Sequence, residues 1–359
     1  MTRTILLNPG PVTLSPRVRA ALAGPDLCHR EPEFAELQAA LRRKLLAVYG
    51  LDNSLWASAL LTGSGTAAVE AMITSCVPRD GQLLVVENGV YGERMSRIAE
   101  AYGMAPEKLQ SGWGAPIDLE ALSASLQRRS FSHVAVVHHE TTTGRLNDMA
   151  AIAAVCERFD CSLLLDGVSS FGAEAIDFET WPIAACAATA NKCLHGVPGT
   201  AFVIINQARL PVIAPPRSVY FSLSDYLAKQ DAGGTPFTQS VQTFYALDEA
   251  LDEFFEAGGW QERRALFRTR MQRIRSHLLE LGVEPLLSED DTSCVLHAFE
   301  LPDGQTYAAL HDALKEQGFV IYAGQGALSE RVFRISAMGD IQETDIDRLL
   351  HSVTKAIRH

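Results

Sequence analysis

Short apolar runs recur through the middle of the chain: LLVVENG at 83–89, HVAVVHHE at 133–140, SLLLDGVSS at 162–170 and AFVIIN at 201–206. Each is too short for a buried helix and is closed by polar or glycine-bearing residues, so each predicts a buried strand. MAAIAAVCERF at 149–159 spaces its apolar residues as a helix does and lies between two of these runs. Strands alternating with helices predict a mainly parallel sheet covered on both faces. Polar residues gather just past the carboxyl ends of the runs: Asn88, Glu140, Thr141, Thr142, Thr143, Asp166 and Ser169. Ligands of open α/β sheets bind at that edge.

The pattern changes after about residue 240. VQTFYALDEALDEFFEAGG predicts a helix that leads into a second one, RRALFRTRMQRIRSH at 263–277. There Leu266, Phe267, Met271 and Ile274 recur at helical spacing, and the interleaved arginines predict a solvated basic face. Shorter strand-like runs follow: SCVLHAFEL at 293–301, FVIYAG at 319–324 and RVFRISAMG at 331–339. These predict a smaller α+β domain. The division expected is an N-terminal arm over 1–16, a large domain over 17–258 and a small C-terminal domain over 259–359, with the boundary at Gly258–Gly259.

Composition narrows the field. At 359 residues, 47% hydrophobic and 21% charged, the chain has enough apolar mass for two cores and too little polar bias for wholesale disorder. A net charge of -12 argues against nucleic acid as a partner. Seven cysteines form no CxxC pair, which predicts free thiols in a reducing compartment. The N-terminus has no signal-peptide pattern, and no apolar run is long enough to span a bilayer, so a soluble, cytoplasmic protein is expected. His138 and His139 lack acidic or cysteine neighbours at metal-ligand spacing, and no metal site is expected.

Three local features carry candidate chemistry. LLTGSGTAAVEAMI at 60–73 opens a helix with Ser64, Gly65 and Thr66, whose amides and hydroxyls would attract phosphate. Asp166 ends an apolar strand. Lys192 sits in ATANKCLHGVPG, between small residues and a turn. Taken singly, these read equally as a capped turn, a helix cap or ion pair, and a loop lysine. Taken together they fit one ligand, pyridoxal phosphate, which needs its phosphate held, its ring nitrogen kept protonated and its aldehyde tied to an amine.

The stretches LLNPGPVTLSP, LLTGSGTAAVEAM, ENGVYGERM, HHETTTGRLND, LLLDGVSSFG, ATANKCLHGVPGTAFVI, EQGFVIYAG and VFRISAMGD carry a resemblance over nearly the whole chain. They resemble the class V aminotransferase group of fold-type I pyridoxal-phosphate enzymes. The resemblance implies an α/β fold-type I transferase with a mainly parallel sheet. It implies that Ser64, Gly65 and Thr66 hold the cofactor phosphate, and that Tyr91 and Val168 pack on opposite ring faces. Thr143 lies towards the phenolic oxygen, Asp166 pairs with the ring nitrogen and Lys192 is the Schiff-base lysine. Thr238 reaches the phosphate of the other subunit, which implies a homodimer with active sites at its interface. Arg334 clamps the anionic end of the substrate, and Asn8 to Gly10 line the entrance.

The implied reaction moves an amino group from an amine donor to a keto acid. The expected pair is 2-aminoethylphosphonate and pyruvate, giving phosphonoacetaldehyde and alanine. RISAMGD, and the stretch APPRSVYFSLSDY around Arg217, depart from the pattern of phosphonate enzymes, so another small amine or amino acid, with glyoxylate or pyruvate, stays open. A sulfur-transferring relative would need a cysteine on a mobile loop, whereas Cys294 lies in a strand-like run. A non-catalytic binding protein of this fold would be expected to lack Lys192 or Asp166, and both are present.

Overall fold

The computed structural model describes residues 3–211, 213 and 215–358. A seven-stranded sheet forms its centre. From one edge to the other the strands are Trp56–Gly63, Gly199–Asn206, Ile183–Thr189, Ser162–Asp166, His133–Val137, Leu83–Glu87 and Glu107–Gln110. Gly199–Asn206 runs antiparallel to both of its neighbours, and every other adjacent pair is parallel.

Side chains alternate across this sheet, as the pleat requires. Leu84, Val86, Val134, Val136, Leu163, Leu165, Phe202 and Ile204 share one core with the helices Pro32–Ala47, Met149–Arg158 and Val241–Glu256. Leu83, Val85, Ala135, Val137, Leu164, Ala185, Ala187 and Val203 share the other with the helices Gly65–Cys76 and Val90–Ala101. Burial on both faces explains why the strands read as continuous apolar runs.

Three strands escape the apolar-run pattern. Ile183–Thr189 is IAACAAT, rich in alanine, which is poor in strand propensity. Its small side chains let the helix Gly65–Cys76 lie close against it. Trp56–Gly63 is likewise rich in small residues. Glu107–Gln110 is a polar edge strand, EKLQ, whose charges suit an exposed edge.

A third core joins the two ends of the chain. Ile5, Leu7 and Val12 pack with Phe267, Met271, Ile274, Leu278, Phe299, Phe333 and Ile335. Ile5–Leu6 pairs in parallel with Phe319–Val320. Leu296–Glu300, Val332–Ser336 and Tyr322–Ala323 form a three-stranded antiparallel sheet with Val332–Ser336 in the middle.

The helix Gly259–Glu280 corrects the expectation of a solvated basic face at two positions. Arg263 and Arg270 are buried. Arg270 donates to the carbonyls of Ala337, Gly339 and Ile341. Arg263 donates to the carbonyl of Cys193 at 2.7 Å and lies over the Phe254 ring. Both arginines satisfy main-chain oxygens of loops, and so hold those loops in place.

Candidate active site

Five segments leave the carboxyl ends of the parallel strands at one edge of the sheet: 64–66, 88–91, 138–143, 166–168 and 190–192. Cross-strand register holds them level, with Val137 opposite Asp166 and Asp166 opposite Ala187. This topology brings together residues distant in the sequence.

Lys192 lies in a turn pinned on several sides. The His195 amide donates to the Lys192 carbonyl at 3.0 Å, and the Gly196 amide donates to the Ala190 carbonyl at 2.8 Å. Arg263 holds the Cys193 carbonyl. His195 has a left-handed φ of 63°, a conformation that histidine tolerates better than most residues. Its Nε2 accepts from the Gly339 amide at 2.8 Å, and its ring stacks on Phe267. Lys192 Nζ donates to the Pro9 carbonyl of the N-terminal segment. Gly10 is required beside it, since a Cβ there would stand 2.9 Å from Lys192 Cδ and the local φ is 108°.

Burial pushes the Lys192 ammonium down to about 8, with Arg334 and Arg94 adding to the fall and Cys193 and Asp166 opposing it. Burial likewise lifts the Asp166 carboxyl to about 6, against the pull of the Val168 amide and of the Lys192 and Arg94 charges. That amide donates to Asp166 Oδ1 at 3.0 Å. Val168 in turn touches the start of the helix Gly65–Cys76: a Cβ on Gly65 would lie 2.8 Å from Val168 Cγ1. Ser64, just before that helix, is exposed and its hydroxyl caps nothing.

Arg334, on the middle strand of the small sheet, is fully buried. Its Nε donates to the Ala323 carbonyl at 2.9 Å and its Nη1 to the Thr141 carbonyl at 2.8 Å, while Nη2 has no partner among the described residues. Asn8 is buried and donates to the Pro11 carbonyl. Thr143 is buried in the turn after His139–Glu140. Thr238 is exposed, in the turn before the helix Val241–Glu256. Arg217 donates to the carbonyls of Thr74, Val77 and Pro78, so it ties a loop to the far end of the helix Gly65–Cys76.

Two further residues lie on the 138–143 segment at this edge. Glu140 is fully buried and accepts from the Thr142 hydroxyl at 2.6 Å, the Thr142 amide at 3.1 Å and the Tyr91 amide at 3.2 Å. It thereby anchors the helix that carries Tyr91. Gly89 leaves it room, since a Cβ there would overlap Glu140 Cδ. His139 donates from Nδ1 to the Ser169 carbonyl at 3.0 Å, leaving Nε2 without a partner among the described residues. In the sequence both lie in the polar cluster at a strand end, within HHETTTGRLND.

Buried titratable groups give the protein a defined acid response. Burial holds His133, His138, His139 and His297 down at about 4, about 3, about 4 and about 3, and His195 well below its ordinary value. Below pH ~6.5 the unfolded chain binds protons that these five folded imidazoles refuse, so stability falls as pH falls. Glu140 at about 7 and Asp166 at about 6 act oppositely, taking protons earlier when folded. Five sites outweigh two. The urea midpoint is expected to be lower at about pH 5 than at about pH 7, and an equal or higher midpoint would refute this balance.

The chain belongs to the class-V aminotransferases: the profile of the family described as Aminotransferase class-V matches residues 28–349. It is therefore an enzyme that takes an amino group from an amine donor and passes it to a keto acid. Among its relatives is the 2-aminoethylphosphonate–pyruvate transaminase of Vibrio vulnificus strain YJ016, 36% identical over 98% of this chain and 97% of that protein. The protein of the same name from Bacillus cytotoxicus is 33% identical over 98% of each chain. A solved structure, the subgroup IV aspartate aminotransferase of Thermus thermophilus, superposes with a TM-score of 0.90 at 28% identity over 99% of both chains. The α/β fold with its mainly parallel sheet is that of these enzymes.

Proposed function

We propose that this enzyme transfers the amino group of 2-aminoethylphosphonate to pyruvate, giving phosphonoacetaldehyde and alanine, with pyridoxal phosphate as its cofactor. The observation that carries the reading is that Lys192, bonded to the Pro9 carbonyl, and Arg334, bonded to the Thr141 carbonyl, are both tied to segments leaving the same edge of the sheet. An amine at one end of the donor and an anion at the other match that pair. The names of the relatives support the choice of donor and acceptor.

The residues present fit the cofactor. Asp166 is a buried carboxyl whose one hydrogen-bond partner among the described residues is an amide, and such a group calls for a cation. Ser64, Gly65 and Thr66 would hold the phosphate, Tyr91 and Val168 would cover the two ring faces, and Thr143 would lie towards the phenolic oxygen. When bound, pyridoxal phosphate supplies an aldehyde that accepts amino groups and a cationic ring that withdraws electrons from the donor carbon. Asp166 keeps its charge beside the ring nitrogen. Lys192, partly neutral near pH 8, takes up and returns a proton at Nζ. Arg334 orients the substrate through its free Nη2, and a guanidinium fork suits a phosphonate and a carboxylate alike. Asn8 and Gly10 close the approach around Lys192.

A cytoplasmic homodimer belongs to the same proposal. Seven unpaired cysteines support a reducing compartment, and the exposed Thr238 is available to a partner copy's phosphate. The arm over 1–16 and the small domain over 259–359 supply the entrance and Arg334, while the large domain over 17–258 supplies the cofactor's contacts. The test is a panel of donors, 2-aminoethylphosphonate, serine and alanine, each mixed with the cofactor-loaded enzyme and followed by visible absorbance. The phosphonate is expected to discharge the aldehyde band. Discharge by serine but not by the phosphonate would replace the donor with a small amino acid.

A further inference from the structure

Arg94 lies on the helix Val90–Ala101, one turn beyond Tyr91, and is half-buried. Its Nη1 donates to Thr66 Oγ1 at 3.2 Å, and its guanidinium carbon stands 4.6 Å from the centre of the Tyr91 ring. The Thr66 hydroxyl is its only side-chain partner among the described residues, so no carboxylate there offsets its charge. Beside it is the start of a twelve-residue helix, Gly65–Cys76, with the Ser64 hydroxyl uncommitted. Helix dipole and guanidinium therefore point positive charge at the same place. The field reaches across the cleft, where Arg94 helps to lower both Asp166 and Lys192.

We propose that Arg94 is the cation of the phosphate cradle, binding the dianion of a phosphate ester held at Ser64–Thr66 while its flat face stays on the Tyr91 ring. Phosphate binding then also fixes the tilt of the aromatic that covers the cofactor. The inference rests on the reading that this cradle holds pyridoxal phosphate, and it adds the residue that discriminates for the phosphate.

The test compares pyridoxal phosphate with pyridoxal, which lacks the phosphate. Dissociation constants are measured on cofactor-free protein by quenching of intrinsic fluorescence. Loss of a charge-assisted bond predicts that Arg94→Gln weakens pyridoxal phosphate by about tenfold or more and weakens pyridoxal far less. Arg94→Lys keeps a positive charge but loses the planar fork. It should show a smaller loss, again larger for the phosphorylated form, so the selectivity can be read in either variant should one fold poorly. Equal weakening of both aldehydes, or no weakening of either, would overturn the role of Arg94 alone. Wild-type protein that binds neither would overturn the cofactor reading and the role of Arg94 together.

Discussion

Lys192→Ala is expected to lower transamination by about ten-thousand-fold, the upper range for loss of a positioned proton-transfer group. It should also remove the visible absorbance of the cofactor-loaded protein. Lys192 is the one amine that the described residues bring into the cleft. Its pKa of about 8 leaves a usable neutral fraction near neutrality, and the surrounding turn fixes its reach. The fold should survive, because the contacts of Arg263, His195 and Gly196 that shape the turn do not involve the lysine side chain. Removing this partly buried amine from the cofactor-free protein removes a desolvation cost but also its bond to the Pro9 carbonyl, so thermal stability should change little. Activity within tenfold of the wild type would contradict the assignment.

Asp166→Asn should reduce turnover by about a hundred- to ten-thousand-fold and weaken cofactor retention. Losing one partner of a buried charge pair costs roughly 3–5 kcal/mol. Asparagine keeps the size of the side chain and can still accept from the Val168 amide. Charge is what is lost. The opposite outcome is expected for the cofactor-free protein, where a carboxyl lifted to about 6 by burial is a desolvation cost only partly offset by the Val168 amide and the Lys192 and Arg94 charges. There the variant should be as stable as the wild type or more so, measured by urea denaturation. A purely structural aspartate would lose stability and activity together, so the two signs separate the roles.

Much of this architecture is legible in the residues. The runs around Leu83–Glu87, His133–Val137 and Ser162–Asp166 announce themselves because strands buried on both faces are continuously apolar. Their polar exits mark the binding edge. Ile183–Thr189 is less visible, since it is built for close helix contact rather than for strand propensity. Arg263 and Arg270 mislead for a different reason. Their spacing is that of an exposed face, and only the folded chain shows which carbonyls they serve. Glu140 and Arg94 belong to the same class. Each acts through contacts made across the fold, Glu140 to the Tyr91 amide and Arg94 to Thr66, and local pattern carries no record of such partners.

The central claim is that one amine, held in this cleft, bonds to the cofactor. Borohydride reduction of the cofactor-loaded enzyme, followed by peptide mass spectrometry, tests it most directly. Of the six lysines in the chain, only Lys192 is predicted to carry the reduced pyridoxyl group. Label on Lys44, Lys108, Lys229, Lys315 or Lys355 instead, or on no lysine, would contradict the account.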